Sequence, residues 1–572
     1  MRLNVTKSKN SASLYVIKSI YNSKTQSNYS KIVEKLGTEA ELREKLNGAD
    51  PYDWAKKYIQ ELNKKEKEEK REVIVKYSPS KLITKGEQRT FNGGYLFLQQ
   101  IYHELGLNKL CAEISQKYKF TFNLDSILSR LLYSRIIYPS SKLATSELSR
   151  QFIEQPDFEL QHIYRALEVI AKEADSIQSS LYKNSLRISK RNTGVLYYDC
   201  TNYFFEIEQE DGLKQYGPSK EHRPNPIVQM GLFMDGDGIP LAFNINKGNT
   251  NEQLTLKPLE QKILSDFDLS KFVVCTDAGL ASDNNRKFNN KGERAFITTQ
   301  SIKKLKAHLK EWALDPKGWS LADDGRAFDI STLDDEKDKD KVYHKERWIK
   351  ENGLEQKIVV TYSIKYRNYQ RKIRDNQIER ARKAIISKSI KLKKCNPNDY
   401  KRFIVKNHYT ADGEAARHET YSIDAGLISK EEAYDGFYAV CTNLEDDASA
   451  IIQVNRQRWE IEECFRIMKS EFKARPVYLN RNDRIEAHFM TCFLSLVIYR
   501  LLEKKLNGKY TCHEIISGLR DMNFLEIKDE GYIPSYIRTD LTDDLHKSSG
   551  FHTDYHIVST STMKKIIKTT KS

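Results

Sequence analysis

The sequence predicts a mixed α/β fold whose sheet is built from two separated stretches, 190–301 and 434–510. Three observations point there. After a helical region, the apolar period changes at "TGVLYYDCTNYFFEIE" (193–208), an aromatic and apolar run that reads as a buried strand. "IVQMGLFMDGDGIPLAFNIN" (227–246) then reads as two strands about a tight Asp235-Gly236-Asp237-Gly238 turn. Finally, "KFVVCTDAGLAS" (271–282) and "RAFITTQS" (294–301) are strands separated by a helix that starts at Ser282. Strand, hairpin, helix, strand, helix, strand is the order of a mixed sheet.

The other segments follow along the chain. Residues 1–75 read as a small strand-rich unit ("SLYVIKSIYN") followed by a charged helix from "DPYDW" onward, whose charges make a solvated face. Residues 85–188 are helical, with apolar residues at i, i+3 and i+4 in "LDSILSRLLYSRIIYP" and "IYRALEVIAKEADSIQSSL". Pro139 stops one helix, and Ser140 and Ser141 are cap candidates for the next. This region is expected to dock DNA or to pair two protomers. Residues 302–433 read as an insertion that carries a charged loop, one strand and a basic helix. "DGFYAVCTNL" (435–444) returns to a strand, residues 448–473 read as one continuous helix, and 484–506 as a mostly buried one. Residues 511–572 are expected as a weakly patterned tail.

Composition narrows the function. The 572 residues carry 94 Lys and Arg against 79 Asp and Glu, a net charge of +15, which suits a polyanionic partner such as nucleic acid. The densest basic run lies between Arg367 and Lys394, with 11 Lys or Arg against Asp375 and Glu379. Too few i,i+4 partners exist there for a salt-bridged helix, so Arg371, Lys372 and Arg374 are expected to contact phosphates. The eight Cys form no CxxC pair, which argues against a structural zinc site and for reduced core thiols. "MRLNVTKSKNSAS" lacks an apolar signal region, and "CFLSLVIY" is too short to cross a bilayer. The protein is expected to be soluble and cytoplasmic.

Two carboxylates stand out. Asp199 interrupts "VLYYDCTNYFF" and Asp277 ends "FVVCTD". Asp is disfavoured in strands, and a buried charge is costly unless it is paired or bound to a metal. An oxygen-only site without nearby Cys or His suits Mg²⁺ or Mn²⁺, and such a site calls for a third carboxylate. "NRQRWEIEECFRIMKS" (455–470) offers Glu460, Glu462 and Glu463. At about 100° per residue, Asn455, Arg458, Glu462, Arg466 and Lys469 share one stripe opposite Ile461, Cys464, Phe465 and Met468, while Glu460 and Glu463 lie off it. The bland reading of that stripe is an Arg458–Glu462–Arg466 ladder on a surface helix.

"YYDCT", "CTDAGLAS" and "NRQRWEIEECFRIMKS" resemble segments of the DDE transposases of bacterial insertion sequences. The similarity is to the insertion-sequence-four-like group, whose signature is Tyr-x2-Arg-x3-Glu-x6-Lys. Arg458, Glu462 and Lys469 match it in full, and Asn455 replaces the tyrosine. "LLYSRIIYPSSKLATSELS", "YGPSKEHRPNPIVQMGLFMDGDGIPLAFNINKGNTNE" and "YDGFYAVCTNLED" are also similar to family segments, so the resemblance runs from about 90 to 505.

The resemblance implies an RNase H-like catalytic core split by an insertion domain between Asp277 and Glu462. It implies that Asp199, Asp277 and Glu462 hold two Mg²⁺ ions, with Mn²⁺ able to substitute. It also implies cut-and-paste transposition: hydrolysis at the element ends, then joining of the 3′ ends to target DNA. Arg458 and Lys469 would hold terminal phosphates, joined by Arg466 and Asn455 on the same helix. Double-stranded DNA with terminal inverted repeats is the expected partner, bound by a homodimer. In that group excision often passes through a DNA hairpin handled by a Trp; Trp459 lies within the signature here and Trp312, Trp319 and Trp348 in the insertion, and the sequence assigns that role to none of them. His222 and Arg223, in "SKEHRP", are candidate DNA contacts, and His488 is a core histidine. The alternatives are a metal-dependent nuclease of the same fold or a domesticated relative, and a catalytically silent DNA-binding protein.

Overall fold

The computed structural model describes every residue except 9–10, 23–25, 47, 70–71, 76–77, 323, 388–397 and 410–414. The chain forms two compact units, Met1–Glu87 and Gln88–Ser572.

In the first unit, β1 (Arg2–Lys7), β2 (Ala12–Asn22) and β3 (Ser27–Thr38) form an antiparallel meander. Thr38 caps the helix Glu39–Lys45 through a reciprocal pairing with Glu41, which satisfies two backbone N–H groups. Leu14, Leu42 and Ala55 make a small core under the charged helix Pro51–Glu69.

The second unit is built on a ten-stranded mixed sheet. Its strands are β5 (Val195–Phe204), β6 (Ile227–Asp235), β7 (Pro240–Lys247), β8 (Val273–Thr276), β9 (Ala295–Thr299), β10 (Trp319–Leu321), β11 (Asp324–Phe328), β12 (Tyr343–Glu351), β13 (Leu354–Tyr362) and β16 (Phe437–Thr442). Their order is β11-β10-β12-β13-β16-β9-β8-β5-β6-β7. The β5–β8 and β8–β9 pairings are parallel and the rest antiparallel. The predicted mixed α/β class and the strand order through β9 are therefore present.

The stretch 302–433 does not behave as one inserted body. Strands β10 to β13 hydrogen-bond into the main sheet, with β13 running alongside β16 from Lys357–Thr442 to Tyr362–Phe437. Leaving the sheet are the basic helix Ile364–Ile386, the β14 (Ile404–Tyr409) and β15 (Ala415–Ile423) pair, and the helix Ala425–Glu432. Lys388, Lys391, Lys393, Lys394 and Cys395 lie outside the described residues.

The Asp235-to-Gly238 turn is held from below. The Arg191 guanidinium donates to the Asp235 carboxylate at 2.6 Å and to the Ile239 and Pro240 carbonyls at 2.9 and 3.0 Å. Asp235 also accepts the N–H groups of Asp237 and Ile239. Both charged groups are buried, and full hydrogen bonding makes that tolerable.

Helices cover one face of the sheet around Asn482–Lys505. That helix touches the helices Tyr95–Glu104, Leu124–Ile137 and Leu160–Lys172, together with β7. By length and composition it could cross a membrane, yet 89% of its most apolar window is buried within the protein. Burial all round explains its lack of a polar face. As expected, the Ser141 side chain caps Lys142–Leu148 and Ser282 caps Asp283–Asn289, each accepting a backbone N–H.

The C-terminal residues are folded, contrary to the expected tail. β17 (Asn523–Ile527), β18 (Gly531–Pro534) and β19 (Val558–Ser559) pair with β4 (Thr90–Asn92) in the order β19-β18-β17-β4. Strands this short carry almost no period, and the strand completing the sheet lies some four hundred residues earlier, so local patterning misses them. Asn92 donates to the Leu519 and Arg520 carbonyls at 2.9 and 3.0 Å. At Gly94 an added Cβ would sit 2.0 Å from the Leu519 carbonyl oxygen, so only glycine allows this approach.

Replacing Arg191 by Met leaves a charged Asp235 buried and unpaired. It should lower stability by about 3–5 kcal/mol, read as a loss of denaturation midpoint. An unchanged midpoint would show that the turn does not depend on this clamp.

Candidate active site

Asp199 and Asp277 meet because β5 and β8 run parallel and side by side. The register pairs Tyr198 with Thr276, so the next residue on each strand is an aspartate. Neighbouring strands lie about 4.8 Å apart, which brings the two carboxylates within strong electrostatic range. Asp277 accepts the N–H groups of Gly279 and Leu280 at 3.0 and 3.1 Å, which fixes one oxygen in the turn after β8. Asp199 accepts the Cys200 N–H at 2.7 Å.

Burial pushes the Asp199 carboxyl up to about 6, with the Asp277 charge adding to the rise and Lys220, the Cys200 N–H and Arg458 opposing it. This is a carboxylate pair whose surroundings disfavour two negative charges.

Lysines line the other side. The Lys469 ammonium donates to the Thr201 hydroxyl at 2.7 Å and lies 3.4 Å from Glu221. Burial, reinforced by Lys220, lowers its pKa to about 8 while Asp199 opposes the drop. Lys220 donates to the Cys200 carbonyl and pairs with Glu252 at 3.2 Å. Arg475 closes the group by pairing with Glu221.

The segment 448–473 is not one helix. Ala448–Arg456 ends in a tight turn at Gln457 and Arg458, Trp459–Arg466 follows, and Ile467–Glu471 is a π turn. Arg458 donates to the Asn455 carbonyl at 3.3 Å and Ile461 to the Arg458 carbonyl at 3.2 Å, the i+3 spacing of a tightened turn. A uniform 100° projection fails on both sides of the middle piece. The stripe is correspondingly split. Arg458 lies 3.4 Å from Glu462. Arg466 departs from it, pairing with Glu463 at 2.5 Å and lying 3.6 Å from Glu471. Glu460 faces Arg500 at 3.4 Å. The three glutamates thus have separate arginines. Glu462 is the most exposed, at 61%, and its arginine is the one felt by Asp199.

The three carboxylates do not converge fully. Among the described residues, Asp199, Asp277 and Glu462 do not form a set with all ligand oxygens within 4.8 Å.

Asn455 is largely buried, with its side chain at the edge of a cleft. Its amide donates to the Tyr438 hydroxyl at 3.1 Å, and that hydroxyl shares a 2.6 Å hydrogen bond with Thr299. Beside it lies a cleft of about 310 Å³ whose wall includes Tyr366, Tyr438, Asn455, Arg458, Trp459 and Glu462. Trp459 is exposed, Trp348 is exposed, and Trp319 is buried. His222 and Arg223 are exposed, and Arg223 stacks over Phe204 at 4.8 Å. His488 is buried against the Ala474 carbonyl, 3.1 Å away, as expected.

The basic helix requires a correction. Arg374 is buried and holds Asp435 in two hydrogen bonds, at 2.7 and 2.6 Å, so it has no free face for a phosphate. Arg371 lies 3.5 Å from the same carboxylate, and Lys372 is exposed. Counting acids within the helix overlooked Asp335, Glu432 and Asp435, which arrive from other elements. Sequence reading also missed Lys220, two residues before His222. Its only signal was membership of the same "SKEHRP" loop.

The family profile described as "Transposase DDE domain" matches residues 203–498, just over half of the chain. Asp277 and Glu462 lie inside the match, and Asp199 lies four residues before it. Among curated proteins no match was found. One solved structure similar to this chain is the cryo-EM structure of the piggyBac transposase synaptic complex with hairpin DNA. It is 9% identical, covers 85% of this chain and 88% of its own, and has a TM-score of 0.37.

The raised Asp199 carboxyl makes a signed prediction. Below about pH 4 it is protonated in both folded and unfolded chains and costs nothing. Between about pH 4 and 6 the unfolded chain ionises first, so stability falls as pH rises. Above about 6 the full penalty of roughly 3 kcal/mol is in place. Asp199→Asn should therefore be more stable than the parent at neutral pH, with the difference vanishing near pH 4. Equal stability at neutral pH would contradict the burial argument.

Proposed function

Because the chain belongs to the transposase DDE-domain family, we propose that Asp199, Asp277 and Glu462 are the catalytic carboxylates of a DNA transposase that cuts the ends of its element and joins them to target DNA. The observation that carries this reading is the Asp199–Asp277 pair on neighbouring parallel strands, whose electrostatics call for a cation.

The donors fit a hard divalent ion. They are carboxylate oxygens, and burial makes a charge on Asp199 unfavourable until a cation offsets it. Mg²⁺ held by these residues, or Mn²⁺ in its place, would supply Lewis-acid activation of an attacking oxygen and charge relief at the leaving one.

The remaining steps belong to the chain. Asp277, fixed by two N–H groups, would be the preorganised ligand, and Asp199 would hold the ion as its carboxylate, its proton passing to solvent. Glu462 leaves Arg458 to complete the set, and Arg458 is then free for a phosphate oxygen. Lys469 and Lys220 line the other side of the Asp199 site, where Lys469 holds Thr201 and remains mostly protonated at neutral pH. The attacking group is water in end cleavage and a DNA 3′-hydroxyl in joining, so no protein nucleophile is needed.

The spacing of Arg458, Glu462 and Lys469 supports a reading as a member of the insertion-sequence-four-like group, and the sheet around β5, β8 and β9 would be its RNase H-like core. Asn455, hydrogen-bonded to Tyr438, stands at the sequence position where that group carries its signature tyrosine. The partner is double-stranded DNA bearing the element's terminal inverted repeats, held by a homodimer in a bacterial cytoplasm. The +15 charge favours this partner, and Arg371 and Lys372 are the contacts retained on the basic helix.

With Mg²⁺, the purified chain should nick DNA carrying its element ends. Glu462→Gln should reduce nicking by about a thousandfold or more, while leaving DNA affinity within a few-fold. Glu463→Gln should keep near-parent activity. Normal cleavage by Glu462→Gln, with loss in Glu463→Gln, would move the third ligand to Glu463. Lys372→Ala should weaken DNA binding and reduce its salt slope by about one, whereas Arg374→Ala should act mainly through stability.

A further inference from the structure

The unit Met1–Glu87 lies outside the residues matched by the family profile, and its meander has two unlike faces. Leu3 and Val5 stand opposite Val16 and Leu14, on the side where Leu42 and Ala55 complete the small core. Lys18 and Glu34 turn the same way, where Glu66 and the Tyr58 hydroxyl of the helix Pro51–Glu69 hold them. The alternate residues form the other face. Arg2, Ile17 and Ile32 make one row across the three strands, and Asn4, Tyr15 and Lys35 the next. The helices pack on the first face and leave the second open. Arg2, Asn4, Thr6 and Lys35 are exposed there, and Ile32 is 58% exposed.

Charge is the independent observation. Residues 1–38 hold seven Lys or Arg and one acid, Glu34. Glu34 accepts from Tyr58 at 3.0 Å on the helix side, so these strands place no carboxylate on the open face. The cations of that face sit on the outer strands, Arg2 on β1 and Lys35 on β3. The central strand offers Ser13, Tyr15 and Ser19, all hydroxyl-bearing. Cations at two edges with hydrogen-bonding groups between them match a DNA groove, where phosphates flank the base edges. At about 4.8 Å per strand the three axes span about 10 Å, against a major groove about 12 Å wide.

We propose that the open face of the β1–β2–β3 sheet seats in the major groove of duplex DNA, with Arg2 and Lys35 on phosphates of the two strands and Asn4, Ser13 and Tyr15 toward base edges. The choice of duplex, the element ends, rests on the transposase reading above. Arg2 donates to the Ser30 hydroxyl at 3.4 Å, an exposed contact that a charged phosphate oxygen would replace. Asn63 donates to the Met1 carbonyl at 2.8 Å, which ties the start of β1 to the helix Pro51–Glu69 and positions Arg2. Ile32 would supply an apolar contact for a thymine methyl.

A second copy of the chain fits this face less well. Two such faces packed together would set Arg2 and Lys35 against their own kind, with no carboxylate on either side to offset them. DNA supplies the missing negative charge.

The test is fluorescence anisotropy of the full chain on a duplex carrying the terminal repeat and on a scrambled duplex, without divalent ions and over a range of salt. Arg2→Ala and Lys35→Ala should each weaken binding and make the log–log salt slope shallower by about one. Lys31→Ala removes the same charge from the same strand but on the helix side, opposite Lys18, and should keep the parental slope. Asn4→Ala should cut the preference for the repeat about fivefold or more. Parental slopes in Arg2→Ala and Lys35→Ala, or a parental preference in Asn4→Ala, would overturn this surface; Mg²⁺-dependent nicking by the parent would then leave the catalytic reading standing. A parent that neither binds nor nicks duplex DNA would overturn both. Loss of self-association in Lys35→Ala by light scattering, at an unchanged slope, would give the face to a second copy and overturn the proposal.

Discussion

The parallel pairing of β5 with β8 is the constraint on which the site depends. Once Tyr198 stands opposite Thr276, the next residues on the two strands are both aspartates, and no side-chain rearrangement can separate them by much. The backbone thus holds two like charges together in a partly dry place. Lys220, Lys469 and Arg458 relieve part of that tension, and the raised Asp199 carboxyl is what remains. A fold that keeps such a pair retains a local instability that a bound divalent cation would remove. The clamp of Arg191 on the β6–β7 turn, which lies one strand away, is the opposite case, a buried charge pair with its hydrogen bonds filled.

Much of this was legible in the sequence because the relevant signals are local. The change of period at residue 193, the Asp-Gly turn and the serine caps at 141 and 282 all act over a few residues, and the structure has each of them. An aspartate inside an apolar strand is also a local anomaly, and it singled out Asp199 and Asp277. What sequence missed is non-local. Strands β10 to β13 join the main sheet through β16, some eighty residues onward, and β4 pairs with β17 across more than four hundred. Arg374 looked free because Asp435 lies 61 residues onward, beyond the β14–β15 pair and the helix Ala425–Glu432.

The helix carrying Glu462 teaches a narrower lesson. Periodicity selected Glu462 over its neighbours, and in the structure each glutamate has its own arginine, Glu460 with Arg500, Glu462 with Arg458 and Glu463 with Arg466. Yet the projection assumed one straight helix, whereas the chain breaks at Gln457 and Arg458 and widens into a π turn at Ile467–Glu471. Arg466 consequently leaves the stripe. Lys469, beyond the start of the π turn, ends against Thr201 on the strand that carries Asp199. Irregular helical turns of this kind cluster where a chain must aim side chains at a site.

The central claim is that Asp199 is half-protonated near pH 6 because it awaits a cation, and its most direct test is proton release on ion binding. Mg²⁺ titrated calorimetrically at pH 6, in buffers of different ionisation enthalpy, should release about half a proton per chain. The release should fall toward zero at pH 8 and be absent in Asp199→Asn. Binding without proton release at pH 6, or the same release from Asp199→Asn, would contradict the account.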